Sequence, residues 1–357
     1  MLTVDLAAVR ENYRLLARRA AVPLLPMVKS DAYGLGAVEV AMTLDAEAPT
    51  AFGVASVAEG LQLRASGIGR PIIVFTPVLP VDFPQARAAG LTLSLSNPAF
   101  ISIWVGLAGR WQLPIDTGMN RAGVHWRDTA QLRAALEVGG APDGVFTHFH
   151  SADSDAQSVA VQEARFHDVL ASMPGRPTSV HAENSAALLQ RGASRYDTAR
   201  PGIALYGVTV GPAACTLVPV VSLTAPVIEV REVEAGDTVS YGAVWCAPGP
   251  RRIATVALGY ADGYPRGAGN RATVLVNDRR APVVGLVTMD MTMCDVTGIP
   301  CDPGDCVTMI GGNAESSVEA VAALAHRSPY EVLTGLWGRS TRTHCDASIA
   351  MPSEAAA

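Results

Sequence analysis

Leu24-Leu25-Pro26-Met27-Val28-Lys29-Ser30-Asp31-Ala32-Tyr33-Gly34-Leu35-Gly36 is a short apolar strand pattern that ends in one lysine and passes into a Tyr-Gly-x-Gly turn. A lysine at the mouth of a buried strand is costly unless it is bonded or kept neutral, and lysines made neutral by burial form Schiff bases. Gly34 and Gly36 have no side chain to hold a ligand away from the backbone. Outward from this stretch, apolar runs recur at 24–28, 51–55, 72–75, 91–95, 111–115, 144–148, 178–181 and 195–199. Most are separated by Ala- and Leu-rich stretches, such as 155–172, long enough for the helices that right-handed crossovers between parallel strands require. The rhythm predicts an α/β fold, a (β/α)8 TIM-type barrel over residues 1–215, with a doubly wound sheet as the competing architecture. Asp5 is expected to cap a helix over 6–20. The connection after Phe75, with Pro77, Pro80 and Pro84, is the least helical of the set.

Beyond Cys215 the pattern changes. Runs at 217–230, 238–245, 253–260, 272–276, 283–294 and 306–310 are strand-like and separated by Gly, Pro, Asp and Asn. They predict a mainly β C-terminal domain over 216–357, closed by helices at 317–326 and 329–337 and ending in a disordered tail from Met351. An apolar share of 49% in 357 residues can fill two cores. A net charge of −6 without a basic block gives no electrostatic basis for a nucleic-acid or anionic-membrane partner. Neither a leader pattern nor an uninterrupted 18-residue apolar span is present, so a cytoplasmic protein is expected. The six cysteines all lie from Cys215 onward without a metal-ligand spacing; reduced thiols and no metal are expected.

On a barrel, Lys29, Arg121, His148, Ser185, Arg200 and Gly202 all follow the ends of strands and share the C-terminal face, where such folds build their sites. Asn184-Ser185 opens a short helix and Gly202-Ile203 offers backbone N–H groups, so both can hold a phosphate without a cationic side chain. A lysine, a phosphate cup and an arginine in one cavity suggest pyridoxal phosphate.

Several ordered segments give the chain a resemblance. They are Val28-Lys29-Ser-Asp-Ala-Tyr33-Gly-Leu-Gly36, Asp116-Thr-Gly-Met-Asn-Arg121-Ala-Gly123, Thr147-His148-Phe149, Asn184-Ser185-Ala186, Arg200-Pro-Gly202-Ile203-Ala-Leu-Tyr206-Gly207, Val239-Ser-Tyr241-Gly242, Gly259-Tyr260-Ala-Asp-Gly263 and Met289-Asp290. In this order they resemble the alanine racemase family of fold type III pyridoxal-phosphate enzymes, through nearly the whole chain. The resemblance implies a barrel plus a β domain, a head-to-tail homodimer, and a site completed by residues of the partner's β domain. It implies that Lys29 carries the cofactor and acts as one acid–base group, with Tyr241 lent by the other subunit as the opposing one. Tyr33, Ser185, Tyr206 and the backbone of Gly202 and Ile203 would surround the phosphate, Arg200 would face the pyridine nitrogen, and Arg121 would lie near the cofactor's phenolic oxygen or the substrate carboxylate. His148 and Arg200 are the candidate cations that would lower the Tyr241 pKa. Met289 would meet the substrate carboxylate through its backbone and Tyr260 would narrow the entrance. His125, His150 and His181 are expected to be ordinary hydrogen-bonded histidines.

Three positions depart from the family's pattern. Pro114 stands where many members carry a lysine, often carbamylated, that neutralises the neighbouring arginine; Arg121 then needs another partner, Asp116 or a chloride, or acts differently on the substrate. Gly338 replaces a usual tyrosine, removing a hydroxyl and, on this reading, opening space. Leu35 stands where histidine is common. The implied activity is amino-acid racemisation, of alanine by default and of serine or a larger amino acid as extensions. A decarboxylase on the same fold and a non-catalytic pyridoxal-phosphate carrier are the alternatives.

Overall fold

The computed structural model describes residues 1–336 and 338–346. The expected tail from Met351 and the expected helix end at Trp337 lie outside the described residues. The chain divides into two units, one of Val9–Leu205 with Thr209–Val218, the other of Met1–Ala8, Tyr206–Val208 and the chain from Pro219 onward.

In the first unit the strands Phe52–Val54, Ile72–Val74, Thr92–Ser94, Trp111–Asp116, Gly144–Phe146 and Val180–His181 pair in that order, all parallel. Each is buried at every position, as strands covered by helices outside and side chains inside must be, so they read as unbroken apolar runs rather than alternating ones. The expected strand at 24–28 is not a ladder. It touches its neighbours through single parallel bridges, Leu24 with Ala199 and Met27 with Gly53, and a third bridge joins Asn184 to Arg200. Pro23 and Pro26 lack the N–H groups a continuous ladder would use. Those bridges complete the ring, so the eight expected runs do form a TIM-like barrel and the doubly wound alternative is not the architecture.

The helix expected over 6–20 is present as Leu6–Ala20, with Asp5 Oδ1 accepting the Ala8 N–H at 3.0 Å. The one read over 155–172 runs Ala156–Ser172 behind an Asp155 cap. After Phe75 the prolines leave only a 3-10 turn, Pro80–Asp82, before the short helix Phe83–Ala88.

The second unit is β-rich, as expected, and its spine is the 13-residue strand Val221–Val233. This strand pairs antiparallel with Leu2–Asp5, Arg251–Val256 and Cys306–Ile310. The first residues of the chain, ahead of the helix that Asp5 caps, are therefore a strand of the β-rich unit. The run expected at 238–245 is broken: Thr238–Val239 and Trp245–Cys246 pair, and between them Tyr241–Ala243 forms a 3-10 turn. Ser240, Gly242 and Ala243 have φ values of 70°, 73° and 47°, which no strand permits. Likewise 253–260 ends early, leaving Tyr260 in the 3-10 turn Tyr260–Asp262. Among the described residues no helix is long and apolar enough to cross a membrane.

Candidate active site

Lys29 stands where the segment 24–28 gives way to the turn Lys29–Gly34. Ser30, Asp31, Ala32 and Tyr33 are consecutive left-handed residues, with φ between 53° and 59°. Left-handed backbone costs an L-residue roughly 1–2 kcal/mol, so such a run persists only where its surroundings over-determine it. Ala32 N–H donates to Val28 O at 2.9 Å and Gly36 N–H to Asp31 O at 2.9 Å. Ala37 N–H donates to Asp31 Oδ1 at 2.7 Å, and Ser30 N–H to Glu59 Oε1 at 3.0 Å. The turn carries Tyr33 back across the barrel mouth, where a Cβ added to Gly202 would stand 2.3 Å from its hydroxyl.

Lys29, Arg121 and His148 line one cavity of about 380 Å³ together with Phe75, Pro114 and Asp116. Burial, then Arg121, pull the Lys29 ammonium below its ordinary pKa, against the opposing pull of Glu59. A neutral amine is the form that adds to a carbonyl. His148 is pushed down to about 3, by burial first and then by Arg200, Arg121 and Lys29, so its imidazole is neutral at physiological pH.

Arg200 is buried. Nη1 donates to His181 Nδ1 at 2.7 Å, and Nη2 donates to the carbonyls of Thr147 and Ala182 at 2.8 and 3.0 Å. Since a guanidinium only donates, His181 Nδ1 accepts and its Nε2–H donates to Gln112 Oε1 at 3.0 Å. Phe146 stacks on the same imidazole, 5.1 Å between centroids and 7° from parallel. Burial lowers the Arg200 pKa to about 9, which still leaves it cationic at neutral pH. His181, expected to be an ordinary hydrogen-bonded histidine, is thus the anchor that orients Arg200; its place at the end of the seventh apolar run was its only signal in the sequence. His150 pairs with Ser151 and His125 packs beside Trp126, and neither lines the cavity.

Ser185 Oγ accepts the N–H groups of Gly202 and Ala204 at 2.9 and 3.2 Å, leaving its own hydrogen to donate. Asn184 caps the helix Ser185–Arg191 by accepting the Ala187 N–H at 3.1 Å. Ile203 and Tyr206, at the two ends of the 3-10 turn that follows, are both buried. The Ser185 and Tyr33 hydroxyls beside a glycine that admits no Cβ make a cradle of the kind a phosphate fills, and the neighbouring lysine suits pyridoxal phosphate.

In the β-rich unit Tyr241 is 72% exposed, Met289 53% and Tyr260 42%. The turns bearing the last two are laced together: Tyr260 N–H donates to Thr288 O and Ala261 N–H to Met289 O, both at 3.0 Å. Arg339 pairs with Asp262 at 3.1 Å and with Asp290 at 2.7 Å. Gly338 does not open space on its Cβ side, since an added Cβ would lie 2.6 Å from the Ala261 carbonyl oxygen. Asp116 is not the counter-ion of Arg121: its Oδ1 accepts the N–H groups of Gly118 and Asn120, and among the described residues no carboxylate pairs with Arg121. One signal in the sequence went unread, namely that Lys29 is the only lysine in the chain.

Residues 4–210 match the family described as alanine racemase, N-terminal domain, and residues 220–344 the one described as alanine racemase, C-terminal domain. The chain belongs to the alanine racemase family. The alanine racemase of Deinococcus radiodurans is 38% identical over 345 residues, 95% of this chain and 97% of that one. Among solved structures, the alanine racemase of E. faecalis aligns with a TM-score of 0.89 at 30% identity, covering 96% of this chain and 97% of that chain. The alanine racemase of Bartonella henselae, solved with covalently bound pyridoxal phosphate, aligns with a TM-score of 0.88 at 30% identity, covering 97% and 99%. The TIM-like barrel followed by a β-rich unit is the alanine racemase architecture.

Proposed function

We propose that this chain is a pyridoxal-phosphate-dependent isomerase that interconverts the enantiomers of alanine, working as a head-to-tail homodimer. The observation that carries the reading is the sole lysine, held below its ordinary pKa in a cavity that also holds Arg121 and His148. Family membership over both units supports it. Lys29 would hold the cofactor covalently, with Tyr33, Ser185, Tyr206 and the backbone of Gly202 and Ile203 around its phosphate, and Arg200 at its ring nitrogen. Bound there, the cofactor draws electrons from the substrate's α-carbon and makes the α-hydrogen removable as a proton.

A racemase needs an acid–base group on each side of that carbon, because a proton leaves one face and another arrives on the opposite one. Lys29 serves one face and Tyr241 of the partner subunit the other. The 72% exposure of Tyr241 in the single chain supports that division, as a tyrosine on an outward turn is free to enter another chain's cavity. Tyrosine is a weak base at its reference pKa of about 10, so it needs a cation nearby. His148, neutral by burial, does not supply it; Arg200, which stays cationic, is the group that does. Arg121 and the backbone at Met289 of the partner subunit hold the substrate carboxylate, and Tyr260 of the partner subunit narrows the way in.

The test is proton NMR of the cofactor-loaded enzyme with a panel of L-amino acids in heavy water, followed by chiral analysis of the recovered material. Loss of the alanine α-proton signal with formation of D-alanine is expected. Exchange without inversion, or release of carbon dioxide, would replace racemisation by another reaction on the same fold.

A further inference from the structure

Ser56-Val57-Ala58-Glu59 has the Ser-x-x-Glu spacing of a capping box, in which the glutamate reaches back to the N–H of the serine. Ser56 plays its part, its Oγ accepting the Glu59 N–H at 3.2 Å. The glutamate goes elsewhere. Its Oε2 accepts the N–H of Ala55 at 2.7 Å, and its Oε1 accepts the N–H of Ser30, on another segment of the barrel, at 3.0 Å. Ala55 lines the Lys29 cavity just beyond the strand Phe52–Val54, and Ser30 is both the neighbour of Lys29 and the first of the left-handed residues.

We propose that Glu59 is a positioning residue for Lys29: its carboxylate bridges the Ser30 and Ala55 N–H groups and so holds the strained lysine-bearing turn against the adjacent barrel strand. An ionised carboxylate is suited to this because it only accepts, so each oxygen can take one N–H. A glutamine could satisfy one of them and would set its own amide hydrogens against the other. The charged and titratable groups that line the cavity with Lys29 are Arg121, His148 and Asp116, and Glu59 holds the N–H of its neighbour Ser30. Asp116 has one oxygen engaged by the backbone of its own loop, and Glu59 is the carboxylate whose field favours the protonated form of Lys29.

This inference rests on the assignment of Lys29 as the cofactor's lysine, and its readouts are chosen so that the two can fail separately. Borohydride reduction of the holoenzyme followed by peptide mass spectrometry locates the cofactor; a tag anywhere other than Lys29 removes the assignment itself. With the tag on Lys29, Glu59→Gln is expected to lower the pH midpoint of the lysine-bound cofactor's absorbance by about one unit, because a nearby anion is lost. It is also expected to lower kcat about tenfold in both directions while KM stays within about twofold, because a displaced lysine weakens the chemical step more than binding. Glu59→Asp keeps the charge but is one methylene short of the bridge, so the midpoint should return to that of the unaltered enzyme while kcat stays low. Ser56→Ala removes the cap of the same helix and should change neither quantity. An unaltered midpoint and kcat in Glu59→Gln would overturn the proposal, and so would Ser56→Ala reproducing the glutamine variant, since the glutamate would then act only through its helix. Should Glu59→Gln fail to fold, Glu59→Asp decides: low kcat with an unshifted midpoint supports the bridge, and full kcat overturns it.

Discussion

At the scale of single residues, the proposed chemistry rests on a lysine that shares its cavity with Arg121 and on a buried arginine bonded only to neutral acceptors. Because Lys29 is the sole lysine, Lys29→Ala should abolish covalent attachment of the cofactor altogether, with no second lysine to take its place. Loss of the visible absorbance after gel filtration, together with the absence of any borohydride-fixed adduct, checks this. His181 supplies a second prediction. Burial, then Arg200, hold its pKa well below the ordinary value, so the unfolded chain takes up a proton near pH 6.5 that the folded chain refuses. By linkage the folded state therefore loses stability as pH falls below about 6.5, by up to about 1.4 kcal/mol per pH unit from this one group. His181→Asn can still accept from Arg200 but cannot titrate. Urea-unfolding midpoints measured from pH 7 to pH 5 should fall less steeply for that variant than for the unaltered protein, even though the variant starts lower. Equal slopes would take His181 out of the acid response.

At the scale of elements, the site depends on backbone that regular structure would not provide. The turn Lys29–Gly34 sets four left-handed residues in a row, and the Tyr241–Ala243 turn interrupts what reads as a strand. The loop after Trp111–Asp116 is a third case. Gly123 has φ 115°, and a Cβ there would lie 2.9 Å from the Pro114 carbonyl oxygen. Gly123→Ala must therefore move backbone against backbone, at a cost expected to exceed about 2 kcal/mol. Since the same loop carries Arg121, KM for alanine should rise as well. Denaturant unfolding and steady-state kinetics on one preparation test both. Helices were the most legible elements: Leu6–Ala20 was readable because its cap and its apolar spacing are local. The segment 24–28 was not legible as single bridges, because apolar content is visible in a sequence while the number of ladder bonds its neighbours allow is not.

At the scale of the whole molecule, the proposed function would divide each site between chains, Lys29 from one and Tyr241 from the other. Mixing Lys29→Ala with Tyr241→Ala under conditions that exchange subunits should restore about a quarter of full activity, because half the dimers are mixed and each mixed dimer has one intact site. Recovery of nothing would mean that both residues serve the site of the same chain. Each variant alone sets the baseline.

Local chemistry was written in the residues themselves: the eight apolar runs, the helix caps, the single lysine and the order of motifs that identified the family. Those signals depend on neighbours close in the chain, where spacing decides what can form. Packing decided the rest. His181 became the anchor of Arg200, Glu59 left its own cap for the Ser30 N–H, and Gly338 proved to be flush against Ala261. Each joins residues distant in sequence, and which donor meets which acceptor inside a barrel is set by how its walls close, which no local pattern encodes.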